Sequence, residues 1–223
     1  MNFRHEIKHE INALDAMVIR QRLRAVAKSD SHAANGSYQI RSLYFDNPED
    51  KALREKQDGI NRREKFRIRY YNGDTSLIHL EKKQKINGLT SKESVVLTKE
   101  EAWAIAQGNY SLIASSPYNL TMELYSKIRS QGLMPKTIVD YTREPFVYAP
   151  GNVRITLDYD IRTGLDCTDF LNPNCVTVPA GEPVIIMEVK WDAFLPDIIR
   201  DALQLPGRRA GAYSKYAACR IYG

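Results

Sequence analysis

The sequence predicts an α+β fold with eight β-strands, enough to close a small barrel, and helices packed against it. Three observations lead there. Segment after segment alternates apolar and polar residues with the period of a strand. Asn72-Gly73 and Asn87-Gly88 are hairpin turns joining neighbouring strands. Between the strand groups lie stretches with helical start signals rather than long irregular connections.

Residues 3–10 alternate Phe3, His5, Ile7 and His9 against Arg4, Glu6, Lys8 and Glu10. Asn12, with Asp15 three residues on, opens a helix over 13–28 whose expected core stripe is Leu14, Met17, Val18, Leu23 and Val26. The second strand is 38–45, and a short polar helix over 48–57 precedes the turn at Asp58-Gly59. Strand 62–71 places Arg63, Lys65, Arg67 and Arg69 on one face, Phe66, Ile68 and Tyr70 on the other. Strand 77–85 shows His79, Glu81 and Lys83 against Ile78, Leu80 and Lys82, and strand 91–97 follows. Thr98 caps a helix over 99–106, and a second helix is expected over 117–130 with Leu120, Leu124, Tyr125 and Ile128 inward. Strands 137–143, 153–161 and 184–190 complete the eight, with 162–182 read as a long loop. A last helix over 196–205 precedes a basic segment ending in Ser214-Lys215-Tyr216.

The 223 residues are 43% hydrophobic, which suffices for a packed core and is read as a single domain over 1–223. A net charge of +5 suits an anionic partner but falls short of a nucleic-acid signature. The aromatics of the basic strand also point away from its cations, where base stacking needs them on the same face. Nucleic acid is therefore not an expected partner. Cys167, Cys175 and Cys219 have no metal-type spacing, and a reducing cytoplasmic setting is the simplest account. The opening residues lack a leader's apolar core and no run is long enough to span a bilayer.

What the polar strand faces contain is informative. They hold Arg4, Glu6, Lys8, Lys65, Arg67, Arg69, Glu81, Lys83, Lys92, Arg143, Arg154, Asp158, Glu188 and Lys190, where a solvated sheet would carry more Thr, Ser and Gln. With the apolar faces outward under the helices, these charges line a wet lumen in which cations outnumber carboxylates. A polyphosphate chain needs many Arg and Lys, and a few carboxylates to hold a bridging divalent metal.

Seven segments resemble, in order, the VTC domain, the polyphosphate polymerase branch of the triphosphate tunnel metalloenzymes. They are Arg4-His5-Glu6-Ile7-Lys8, Ser42-Leu43-Tyr44-Phe45-Asp46, Lys65-Phe66-Arg67-Ile68-Arg69-Tyr70, Leu80-Glu81-Lys82-Lys83, Tyr141-Thr142-Arg143, Met187-Glu188-Val189-Lys190 and Ser214-Lys215-Tyr216. The resemblance implies an eight-stranded antiparallel tunnel, ATP as phosphoryl donor, inorganic polyphosphate as product, and manganese or magnesium as cofactor. Related triphosphatases begin with a Glu-x-Glu-x-Lys strand. Arg4 stands where the first Glu would sit, which favours polymerase over hydrolase. Accessory segments of eukaryotic members do not appear, although a membrane protein remains a possible partner.

Strand face and resemblance together assign phosphate binding to Lys8, Arg67, Arg69, Lys83, Lys92, Arg143, Arg154 and Lys215, with Arg67, Arg69 and Lys215 as the catalytic residues. Lys83 is preferred to Lys82 because it shares a face with Glu81. Glu188 is the leading metal ligand, since a carboxylate in an apolar Val-Ile-Ile-Met strand is costly unless paired or metal-bound. Glu6, Glu81 and Asp158 are weaker candidates that would rather orient the cations, and Tyr44 and Tyr141 either bond phosphate oxygens or pack the barrel. The alternatives are a tripolyphosphatase or nucleoside triphosphatase in the same tunnel, and a non-catalytic polyphosphate-binding module.

Overall fold

The computed structural model describes residues 3–33 and 35–221, so the parts of the domain and leader readings that fall on residues 1, 2, 34, 222 and 223 lie outside the described residues. The chain runs β1 (His5–Ile11), α1 (Ala13–Val26), β2 (Lys28–Ser29), β3 (Tyr38–Asp46), α2 (Lys51–Gln57), β4 (Arg63–Tyr71), β5 (Asp74–Ile86) and β6 (Leu89–Leu97). It continues through α3 (Lys99–Ala106), α4 (Asn119–Gln131), β7 (Met134–Tyr148), β8 (Val153–Thr163), β9 (Val178–Pro179), β10 (Ile185–Trp191), α5 (Asp197–Ala202) and α6 (Lys215–Cys219). Eight long strands form one curled antiparallel sheet in the order β1-β10-β8-β7-β3-β4-β5-β6, to which the two-residue β2 and β9 add short pairings. The sheet's outer strands meet: Arg4 and Thr90 exchange two backbone hydrogen bonds of 2.9 and 3.1 Å.

Both Asn-Gly turns behave as read, with positive φ at Asn72 (51°), Gly73 (72°), Asn87 (49°) and Gly88 (81°). They set the β4–β5 and β5–β6 registers, which bring Arg67 opposite Glu81 and Lys83 opposite Lys92. Strands β5, β6, β7 and β8 are longer than the alternation alone indicates, most of all β7, whose cross-strand bonds carry it past Pro135 at one end and Pro145 at the other. The stretch read as a loop is also shortened, because β8 reaches Thr163 and β9 pairs with it.

Two apolar clusters coat the outside of the sheet. Leu43, Phe66, Ile68, Ile78 and Leu80 pack under α3 and α4. Ile155, Leu157, Met187 and Val189 pack under α1 and α5. A third cluster fills part of the interior, where Ile40, Tyr44, Val139, Tyr141 and Ile186 meet Tyr216 and Cys219 of α6. That plug, and α6 itself, go beyond the sequence reading.

The expected core stripe of α1 is corrected. Ala16, Ile19 and Leu23, at i, i+3 and i+7, are the buried face, and Val26 packs beside them. Leu14, Met17 and Val18 point outward with 72%, 61% and 41% of their surface exposed. Both faces of this helix are apolar, so periodicity alone does not say which one meets the sheet. Contact with β8, β10 and α5 decides it.

Truncating Leu23 to Ala should therefore cost about 2–5 kcal/mol in urea unfolding, as for other fully buried leucines. Leu14→Ala should stay within about 0.5 kcal/mol. A large loss at Leu14 would contradict this assignment of faces.

Candidate active site

Period 2 along each strand sends the charged residues to the concave side. They surround a cavity of about 360 Å³, lined by eleven Lys and Arg side chains, with Glu188 the carboxylate among its lining residues. Glu6, Glu81 and Asp158 stand in the wall between the cations. Each of the four carboxylates is engaged by at least two cations, and they fall into two groups.

The first group spans β1, β10, β8 and β7. The register places Glu6 opposite Lys190 and Lys8 opposite Glu188. The four charges form an alternating square, with Lys8 at 3.6 Å from Glu6 and 3.7 Å from Glu188, and Lys190 at 3.6 and 3.3 Å from the same two. Lys83 of β5 closes on Glu6 at 2.7 Å from the far side of the β1–β6 seam. Arg143 links Glu188 at 3.6 Å to Asp158, on which it makes a two-pronged contact of 2.6 and 2.8 Å. Lys215 donates to the same Asp158 at 2.5 Å and lies 4.6 Å from the Tyr141 ring centre.

The second group belongs to β4, β5 and β6. Glu81 receives Arg67 at 2.6 Å, Lys92 at 3.0 Å and Arg69 at 3.7 Å. Arg67 also donates to the Tyr44 hydroxyl at 2.7 Å, and Arg69 to Ser42 and Tyr141 at 3.0 Å each. Arg154 stands apart, bonding the Tyr38 hydroxyl at 2.9 Å and Asp30 at 2.8 Å.

All eight cations named from the sequence therefore line one cavity. Of the carboxylates named for a metal, Glu6 and Glu188 are neighbours that share Lys8 and Lys190, while Glu81 lies in the other group, held by three cations. Among the described residues no three His, Cys, Asp or Glu side chains converge as a ready-made metal set. Glu6 and Glu188 offer the carboxylate oxygens that a hard divalent metal takes, and they are the pair that would hold one. Lys82, set aside in favour of Lys83, faces outward to Glu64 and Glu123. Arg4 turns to Asp192 at 2.7 Å, at the end of β10.

Four further side chains take part. Lys65 and Lys190 lie on the charged strand faces and line the cavity. Tyr38 lines the cavity from the start of β3. Asp46 acts at a distance: it accepts from the backbone of Ala52 and Leu53 at the start of α2 and from the Tyr216 hydroxyl at 2.8 Å. It thereby anchors the helix that carries Lys215, and the sequence offers no signal for that long-range pair.

Confined charge shifts the protonation of these groups. Burial works against all four carboxylates as anions, yet the cations prevail and hold Glu81 and Glu188 well below the usual range, with Glu6 also lowered. Asp158 is brought down to about 2 by Arg143 and Lys215. Lys65 has no ion-pair partner among the described residues, and burial lowers its ammonium to about 8. Burial also takes Lys83 to about 7 despite Glu6. Tyr44 comes down to about 7 because Arg67, Lys65 and Arg69 outweigh the burial of its ring.

A curled antiparallel sheet around a lumen of arginines, lysines and paired carboxylates defines a tunnel-fold protein of the phosphate- and nucleotide-binding class. The VTC domain family profile matches residues 3–221, and the chain belongs to that family. A comparison with curated proteins returns no match. Two solved structures share the fold at low identity. The PH1012 protein of Pyrococcus horikoshii OT3 is 15% identical with a TM-score of 0.52, over 95% of this chain and 96% of that one. A Bacillus halodurans protein named provisionally as an adenylate cyclase is 15% identical with a TM-score of 0.50, over 85% of this chain and 80% of that one.

The depressed Lys65 and Tyr44 carry a signed prediction. In the unfolded chain they titrate near 10.5 and 10.0, so above pH 7 the unfolded state holds more protons than the folded one. Stability of the ligand-free protein should therefore rise between pH 7 and about pH 8.5, read by urea unfolding. Bound tripolyphosphate should restore the lost protons, so calorimetry near pH 8 in two buffers of different ionisation enthalpy should show net uptake. Proton release on binding would contradict it.

Proposed function

We propose that the protein is a metal-dependent polyphosphate polymerase that transfers the γ-phosphate of ATP to a growing polyphosphate chain. The observation that carries this reading is the eleven-cation cavity, whose positive charge exceeds what its four carboxylates compensate. Such an excess suits a ligand carrying about one negative charge per phosphate, and arginine offers each phosphate a two-pronged contact.

The residues divide the work as their partners allow. Glu81 and Asp158 hold Arg67 and Arg143 in fixed orientations, so their remaining N–H groups are aimed before a ligand arrives. Preorganised donors of this kind stabilise the charge spread over a transferring phosphoryl group. Arg67, Arg69 and Lys215 are placed nearest the transferred group in this reading. Lys8, Lys83, Lys92, Arg143 and Arg154 extend the cradle along donor and acceptor chains. Glu6 and Glu188 would hold manganese or magnesium, which would neutralise phosphate charge when bound. A terminal oxygen of the growing chain attacks the γ-phosphorus in line, the new P–O–P bond forms, and ADP leaves with the electrons of the broken bond.

Incubation with ATP and manganese followed by gel separation tests the reading directly. Long chains are expected; orthophosphate alone would make the protein a hydrolase, and tight binding without turnover a binding module. Arg67→Ala should lower kcat/KM by about 10²–10³-fold. Glu188→Gln should abolish metal-dependent turnover yet leave metal-free tripolyphosphate binding unchanged or tighter, because it removes a negative charge from the cavity wall. Loss of that binding would argue that Glu188 only scaffolds its cations.

A further inference from the structure

The outward face of α1 exposes three large apolar side chains, Leu14, Met17 and Val18, where α3, α4 and α5 expose one each among the described residues. Leu14, Met17, Val18, Gln21 and Ala25 fall at i, i+3, i+4, i+7 and i+11, and all five are exposed. This stripe runs along the helix opposite the buried Ala16, Ile19 and Leu23. Arg22 and Arg24 flank it, one on each side, and neither has a carboxylate partner among the described residues. Arg22 spends one N–H on the Gln204 carbonyl at 2.7 Å, which leaves its charge uncompensated.

Beside α1, with Arg22 at its edge, lies a cavity of about 590 Å³ formed by Ile7 and His9 of β1, by α5 and by the segment that follows it. Its apolar wall includes Leu195, Leu203 and Leu205, and Arg22, Arg200 and Arg208 also line it. Arg208 is paired with Asp15, and Arg200 with Asp197, while Asp201 adds one negative charge. Phe194 and Ile198, 56% and 49% exposed, continue the apolar surface onto the α5 side. None of these residues lines the phosphate lumen.

We propose that this face is a docking site for an anionic phospholipid surface, with α1 lying flat in the headgroup region and the cavity beside it accepting a lipid. A stripe of apolar side chains bordered by arginines is what an interfacial helix needs: the apolar residues enter the acyl boundary while the guanidinium groups stay with the phosphates. Charge decides among occupants. A second copy of this chain, packed α1 against α1, would offer Arg22 and Arg24 only the Asp15 carboxylate of that helix, which Arg208 already holds at 2.6 Å. An anionic bilayer satisfies both cations and covers the apolar stripe at once.

Sedimentation with vesicles tests this on the full chain. Binding is expected to equimolar phosphatidylglycerol and phosphatidylcholine vesicles and not to phosphatidylcholine alone, and to weaken at high salt. The double variants Leu14→Ser/Met17→Ser and Arg22→Ala/Arg24→Ala should each lower the apparent affinity by about tenfold or more. Both alter exposed side chains, and unchanged circular dichroism and tripolyphosphate binding would show that the fold persists. Saturating tripolyphosphate should leave vesicle binding intact. Three results would overturn the proposal: no binding to anionic vesicles, wild-type binding by the Leu14/Met17 variant, or displacement by tripolyphosphate, which would place the lipid contact at the lumen. A lipid-free dimer that the same variant dissociates would assign the face to self-association instead. Polyphosphate synthesis is read separately, so failure here leaves the catalytic reading untouched.

Discussion

The structure depends on keeping like charges apart inside a curled sheet. Two unit charges 4 Å apart interact by about 4 kcal/mol at the effective dielectric of a protein near water. Eleven cations around one cavity could not coexist without intervening carboxylates. Glu6, Glu81, Asp158 and Glu188 supply them, and each sits between cations rather than against a single one. The alternating square of Glu6, Lys8, Glu188 and Lys190 follows from the antiparallel register of β1 on β10. A one-residue slip of β1 would turn Glu6 and Lys8 outward and leave Glu188 and Lys190 without them. The compensation is partial, and the remaining positive charge is what an anionic ligand would meet.

That arrangement draws on distant parts of the chain. Lys215 reaches Asp158 only because α6 folds back into the sheet's interior, where Tyr216 bonds Asp46 and stacks on Tyr44 with ring centres 5.2 Å apart. Asp46 also secures the start of α2, so one buried carboxylate couples the end of β3, a short helix and the C-terminal helix. The interior is thus divided. An aromatic and aliphatic plug fills one part, and the wet, charged cavity occupies the rest. The plug gives the lysines and arginines a dry wall, which is why Lys65 and Lys83 give up their protons more readily than exposed lysines do.

The outer surface obeys a different rule. Most helices cover the sheet with one apolar face and offer polar residues to water, as α4 does through Leu120, Leu124 and Ile128. The α1 helix departs furthest from this pattern, exposing Leu14, Met17 and Val18 where α3, α4 and α5 expose one large apolar side chain each, and this surplus lies away from the charged lumen. Binding along that face and chemistry within the sheet would therefore use separate surfaces of one protein.

Much of this was written locally. Alternation placed Arg67, Arg69, Glu81, Lys83 and Glu188 on the correct strand faces, because side-chain direction in a strand follows from period 2 alone. Asn72-Gly73 and Asn87-Gly88 defined two hairpins, because few other dipeptides accept positive φ at both positions. The order of seven short motifs was enough to indicate the family. Tertiary structure decided the rest, and in each case because the deciding partner is far away in sequence. Helical periodicity in α1 is equally satisfied by two apolar faces, and only the neighbouring strands select Ile19 and Leu23 over Leu14 and Met17. Face assignment puts Glu6, Glu81 and Glu188 in one lumen, but only the pairing of β1 with β10, and of β4 with β5, makes Glu6 and Glu188 neighbours and gives Glu81 to Arg67.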